Sequence, residues 1–212
     1  MKRIVVIEDQ KILREFIKVM VQNFPMLELV GDTGDGLEGY NLIKEHKPDM
    51  IILDVVLPGL NGISMLKRLS KEMPDVLVLG FSSFSNRSQV RQMIEAGANG
   101  LVQKTESLQV LETAIKMVAE GQTYFSPNIS IMMRDLMLNP SQVETADDLT
   151  FREREILQLI AESNSNKEIA EKLGISVKTA ETHRNRIINK LNIHDAPGLT
   201  RYAIASGLVG VN

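Results

Sequence analysis

The 212-residue chain contains no cysteine, which excludes disulfide bonds and thiolate chemistry and suits a reducing cytoplasm. No apolar run approaches the roughly 18–20 residues that would span a bilayer. Met1-Lys2-Arg3 and the apolar Ile4–Ile7 run straight into Glu8-Asp9, a first strand and not a signal peptide. Internal repeats and low-complexity tracts are also missing. His46 and His194 have no metal-ligand spacing around them and read as ordinary surface residues. These absences predict a soluble cytoplasmic protein with no membrane partner.

What is present can fill more than one core. Hydrophobic residues make up 43% of the chain, enough for two domains. The net charge of −3 is unevenly spread. Residues 149–212 hold nine Lys/Arg against seven Asp/Glu, while residues 1–148 hold fifteen against twenty. The C-terminal part is therefore the better placed to meet an anionic partner.

Apolar runs and helical patterns alternate through the first 120 residues. Strands are expected at Arg3–Ile7, Glu28–Gly31, Met50–Leu53, Val76–Gly80 and Gly100–Val102, with helices between them. Leu13, Phe16, Ile17 and Met20 show the spacing of one buried helix face. Regular βα alternation implies a parallel sheet with right-handed crossovers, and five such units fit an α/β flavodoxin-like (βα)5 domain. The organising stretch is Met50–Gly62, where four apolar residues run into Asp54 and Pro58, Gly59, Asn61 and Gly62 then break the chain into a loop. Asp54 is thereby expected at the C-terminal tip of a central strand, where such sheets place their ligand crevices.

Pro127 opens a further expected helix through Leu138, and Asn139–Asp148 reads as a polar linker. Beyond it the pattern is all helical. Thr150-x-x-Glu153 and Ser165-x-x-Glu168 are capping boxes, and Ser176 is a good N-cap. Gly174 lies between the second and third of these helices, and two short helices joined by a tight glycine turn form a helix-turn-helix. A fourth helix is expected over Pro197–Ser206.

Glu8 and Asp9 end the first strand and Asp54 ends the third, which are neighbours in a flavodoxin-like order. Clustered carboxylates raise one another's pKa unless a cation intervenes. An oxygen-only ligand set suits a hard ion, and Mg²⁺ is the natural choice. Ser82, ending the fourth strand, adds a hydroxyl, and Lys104, beyond the fifth, adds a positive charge. The acidic first loop, Glu8-Asp9-Gln10-Lys11, lacks phosphate-cradling glycines, which argues against a flavin or hydrolase site on this sheet.

Glu8-Asp9, Asp54-x-x-Leu-Pro-x-Leu-Asn-Gly62, Ser82, Ala96-Gly-Ala98 and Lys104 together resemble a receiver domain of two-component signalling, over residues 1–120. The resemblance implies that Asp54 is the phosphoacceptor, that Glu8, Asp9, Asp54 and the Val56 carbonyl hold Mg²⁺, and that Ser82 and Lys104 contact the phosphoryl group. The sequence departs from the family at Leu101, a position often aromatic, so coupling from Ser82 must use another repacking. It also places Val56 and Phe84 two residues after Asp54 and Ser82, where apolar side chains predict exclusion of the hydrolytic water and a long-lived acyl phosphate.

Residues 149–209 resemble the LuxR-type helix-turn-helix of NarL/FixJ response regulators. The recognition helix is expected over Val177–Lys190, where Lys178, Arg184, Arg186 and Lys190 face only Glu181. Ile187 and Leu191 sit at core spacing. The family pattern makes Glu181, Thr182 and Asn185 base-facing candidates, and Lys178, Thr179, His183 and Arg184 candidates for the DNA backbone. The expected organisation is a receiver at 1–121, a partly helical linker at 122–148 and a DNA-binding domain at 149–212. The resemblance implies a non-enzymatic transcriptional regulator, phosphorylated by a sensor histidine kinase and pairing as a homodimer on double-stranded DNA. A phosphorylation-independent DNA binder is the rival reading.

Overall fold

In the computed structural model, which describes residues 1–84, 86–138 and 149–210, the N-terminal part is one parallel sheet covered on both faces. The expected linker stretch Asn139–Asp148 lies outside the described residues. The strands are β1 (Lys2–Ile7), β2 (Leu27–Thr33), β3 (Met50–Leu53), β4 (Leu77–Ser82), β5 (Gly100–Gln103) and β6 (Tyr124–Phe125), in the order β2-β1-β3-β4-β5-β6. The helices between them are α1 (Lys11–Gln22), α2 (Gly36–His46), α3 (Gly62–Glu72), α4 (Arg87–Glu95) and α5 (Leu108–Ala119).

Strand alternation divides the core in two. Val5, Ile7, Ile51 and Leu53 face one cluster with Ile43 of α2, Leu66 of α3 and Met93 of α4. Ile4, Val6, Met50 and Ile52 face the other, with Ile17 of α1 and Ile115 of α5. The central strand is thus buried on both sides, as its unbroken apolar run requires.

The sixth strand was not expected. Residues 124–125 pair in parallel with β5, and α6 (Pro127–Leu138) then returns over the sheet, burying Ile129 completely in the cluster of Leu101 and Phe84. An Arg87–Asp135 ion pair ties α6 to α4. These elements, read from sequence as a partly helical linker, are joined to the sheet. Tyr124-Phe125 is too short to carry a periodic signal, so only tertiary pairing reveals it.

The C-terminal part contains α7 (Phe151–Ala161), α8 (Asn166–Leu173), α9 (Val177–Leu191) and α10 (Ala196–Ala205) around Ile156, Leu159, Ile169, Ala180, Ile187 and Leu199. Both capping boxes form, at Thr150/Glu153 and Ser165/Glu168. Gly174 ends α8 at φ 62°, a left-handed conformation that suits glycine.

Candidate phosphoacceptor site and DNA-facing helix

The β1, β3, β4 and β5 ends converge as the parallel order requires. Asp54 follows β3 and is nearly fully buried. Its Oδ1 accepts from the Ser82 hydroxyl at 2.6 Å and from the Val56 amide at 3.2 Å. Its Oδ2 meets Lys104 Nζ at 2.6 Å, and the same ammonium reaches Glu8 Oε1 at 2.7 Å. Gly62 is required behind this site, since a Cβ there would lie 2.1 Å from the Asp54 carbonyl oxygen. The Asn-Gly of the motif is therefore a packing demand: Asn61 caps α3 through Ile63 N, and Gly62 lets the helix start against Asp54.

Electrostatics follow from burial. Desolvation, reinforced by Asp54, pushes Glu8 up to about 7, although Lys104 pulls the other way. Burial also raises Asp54, opposed by Lys104, Ser82 and the Val56 amide. Burial lowers Lys104, but Asp54 and Glu8 outweigh it and hold the ammonium above its usual range. Glu8 Oε2 is buried with no hydrogen-bond partner. Carboxylate oxygens of buried Glu8, exposed Asp9 and buried Asp54 lie within 4.8 Å of one another. An orphaned oxygen in a group of three carboxylates fits a hard divalent cation.

The expected water-excluding pair is split. Val56 borders an open cleft with Asp9, whereas Phe84 is buried in the core. A Cβ at Gly80 would meet Leu101, Met93 and Phe84 within 3.6 Å, so these side chains pack around that glycine. Leu101 is fully buried, and its carbonyl accepts from Ser126 N at the start of the α6 segment.

In the C-terminal domain, Lys178, Thr179, Thr182 and Asn185 are exposed, and Glu181, His183 and Arg184 are half-buried. Lys178, Thr182 and Asn185 recur at helical spacing and share one face. Lys178 pairs loosely with Glu181 at 3.6 Å, and Arg184 reaches Asn166 of α8 at 3.3 Å. His183 Nδ1 is buried without a partner. Ile187 is fully buried and Leu191 joins the core, as their spacing demands. Lys190 differs from its sequence reading as part of a basic helix face: its ammonium meets Glu153 at 2.7 Å and links α9 to the α7 cap.

Sequence reasoning missed Gln158 and Glu162 of the α7 end. Gln158 is fully buried between apolar neighbours, and its bonds cross to the N-terminal part. A lone Gln inside Ile156-Leu157-Gln158-Leu159-Ile160 was the available signal, because a buried amide must find partners.

Known proteins show the same pair of parts. The family described as "Response regulator receiver domain" matches residues 4–116, and that described as "Bacterial regulatory proteins, luxR family" matches residues 147–203. The chain is 33% identical to oxygen regulatory protein NreC of Staphylococcus epidermidis, over 98% of this chain and 99% of that protein. It is 33% identical to transcriptional regulatory protein LiaR of Bacillus subtilis, over 99% of this chain and 100% of the relative. In fold it resembles RcsB of Salmonella enterica serovar Typhimurium, solved bound to promoter rprA with a phosphomimetic. That likeness has a TM-score of 0.63 at 20% identity, covering 95% of this chain and 97% of that one.

Proposed function

This chain belongs to the response regulators that join a receiver to a LuxR-type DNA-binding domain, and from that premise we propose that Asp54 is its phosphoacceptor and α9 its recognition helix. The receiver is residues 1–121, the partly helical linker 122–148 carries α6 packed on the sheet, and the DNA-binding domain is 149–212. The observation that carries the reading is the buried Asp54 carboxylate, held between the Ser82 hydroxyl and the Lys104 ammonium.

An Asp54 oxygen attacks the phosphorus of a phosphohistidine on a sensor kinase. The phosphorus–nitrogen bond breaks and the imidazole leaves, taking up a proton. Lys104 and Ser82 hold the transferred oxygens, supplying charge and a hydrogen bond where negative charge develops. Glu8, Asp9, Asp54 and the Val56 carbonyl would hold Mg²⁺, which supplies further charge neutralisation when bound. Catalysis stops at the chain's own phosphorylation and dephosphorylation. Val56, bordering the cleft, keeps one wall of the hydrolytic path apolar.

Glu181, Thr182 and Asn185 read base edges in the major groove, while Lys178, Thr179, His183 and Arg184 position the helix on phosphates. Two copies on two half-sites raise affinity and specificity, which makes a phosphorylation-promoted homodimer the working form. It works in the cytoplasm; no helix among the described residues is long and apolar enough to cross a membrane.

The test compares DNA binding by wild type and Asp54→Ala at one stated salt concentration, with Mg²⁺ and with or without acetyl phosphate. The donor is expected to tighten wild-type binding at least tenfold and leave Asp54→Ala unchanged. Equal binding by both proteins under all conditions favours the phosphorylation-independent reading. One observation gives that reading some ground: Thr182 and Asn185 are exposed with the receiver in place, so α9 is not masked.

A further inference from the structure

Between α3, α4 and α7 lies a small cavity whose charged groups are all of one sign. Its volume is about 80 Å³, roughly that of two or three waters. The two domains touch beside it. Gln158 Nε2 donates to the Leu57 carbonyl at 2.7 Å, its Oε1 accepts from the Asn61 amide at 2.8 Å, and Glu162 accepts from the Gly59 amide at 3.1 Å. Lys67 of α3 and Arg154 of α7 supply the charge, and no described Asp or Glu lines the walls. The neighbouring acids are committed elsewhere: Glu95 pairs with Arg91 at 2.7 Å, and Glu155 is shared by Arg68 and Arg152. Lys67 has no hydrogen bond or ion pair among the described residues. Burial and the nearby Arg154 hold its ammonium below the usual range, with Glu95 opposing. Two half-buried cations repel each other, and an anion between them removes that cost.

The polar groups around the cavity are set to donate. Ser64 lines it at 5% exposure, and its hydroxyl makes no bond among the described residues. Ser88 Oγ accepts from Gln92 Nε2 at 3.1 Å, which leaves its own O–H available as a donor. The Gln92 oxygen is taken up by Arg154 Nη1, so this amide presents no acceptor to the space. Asn86 caps α4 through the Gln89 amide at 2.9 Å, and the first turn of that nine-residue helix borders the cavity. A helix start favours negative charge, as do an ammonium, a guanidinium and hydroxyls without acceptors opposite them.

We propose that this cavity binds one phosphate group, as the free ion or as the head of a small monoester, held by Lys67, Arg154 and the hydroxyls of Ser64 and Ser88 at the start of α4. The site shares no residue with the acidic cluster around Asp54 and takes the opposite charge. Its volume suits a single tetrahedral oxyanion and is too small for a nucleotide. Because α3 and α4 belong to the receiver and α7 to the DNA-binding domain, the bound anion neutralises a cation from each. By mass action it stabilises the folded chain.

The test is a calorimetric titration of the full chain in EDTA at constant ionic strength, with inorganic phosphate or with glycerol 3-phosphate. Wild type is expected to bind one inorganic phosphate with a Kd on the order of 1 mM or tighter. Lys67→Gln should weaken that binding about tenfold or more, and Lys67→Arg, which keeps the charge, only about threefold. Lys116→Ala on α5, across the sheet, should bind like wild type. Glycerol 3-phosphate binding as tightly as phosphate assigns the site to monoesters, and binding about tenfold weaker assigns it to the free ion. Thermal unfolding separates lost binding from damage. In chloride, Lys67→Gln is expected to melt at or above wild type, since it removes a cation beside Arg154. Phosphate should raise the Tm of wild type and leave that of the variant in place. Phosphate binding that Lys67→Gln leaves within about twofold of wild type puts the anion elsewhere and overturns the proposal. Wild type with no saturable binding overturns it outright.

Discussion

Glu8 shows how strongly a single buried group can set the behaviour of the ion-free receiver. Burial and the adjacent Asp54 carry its carboxyl from 4.5 to about 7. The folded state therefore holds a proton that the unfolded chain has lost between those values, and stability from this group falls as pH rises across that window. Above about 7 both states are ionised and the slope ends. In EDTA, urea unfolding of wild type should show a loss of about 2–3 kcal/mol between pH 5 and pH 7.5, and Glu8→Gln should remove most of it. A flat wild-type profile would mean that Lys104 compensates both carboxylates completely. The cost is structural sense as well as strain, because a site that is uncomfortable as three carboxylates is one that gains from a cation.

The α9 helix carries two jobs on two faces. Its exposed face holds Lys178, Thr182 and Asn185, and its inner face is locked by Ala180, Ile187 and the Lys190–Glu153 pair. Burial raises Glu153, but bonds from Lys190 and Thr150 outweigh it and hold the carboxyl below its ordinary 4.5. Its contribution to stability is thus present above about 4.5 and is lost as pH falls through the depressed value. Lys190→Ala should cost about 1–2 kcal/mol at pH 7, a loss that shrinks in acid, as thermal unfolding at several pH values would show. Asn185→Ala should leave that melting profile alone and alter base preference in a binding selection. A reversed pattern would exchange the roles given to the two faces.

For the whole molecule, the interface between domains is itself titratable. Burial raises the Glu162 carboxyl and Asp35 adds to the effect, while Gln158, the Gly59 amide and Lys172 oppose it. Closing takes up a proton, so the closed form is favoured at low pH and loses that advantage as pH rises from about 4.5 through the raised value. Protection factors of the Gly59 and Asn61 amides should therefore increase as pH is lowered through the raised value toward about 4.5, and Glu162→Gln should make them insensitive to pH. The Arg68–Glu155 ion pair, with Arg152 on the other Glu155 oxygen at 2.8 Å, supplies a second crossing that this titration leaves in place.

By itself the sequence determined what depends on local order. Alternation placed the strands, capping boxes and Gly174 delimited the DNA-binding helices, and the strand ends brought Glu8, Asp54, Ser82 and Lys104 to one edge. These signals are legible because period, cap and turn chemistry act within a few residues. Only the tertiary structure decided the rest. It made Tyr124-Phe125 a strand and α6 part of the receiver's surroundings, turned Phe84 into the core, and gave Lys190 to Glu153 instead of to a free basic face. It also set Gln158 and Glu162 against a loop about a hundred residues earlier. Partners that distant leave no periodic trace in the chain; their identity is decided when two separately folded surfaces meet and each buried polar group must find its bond.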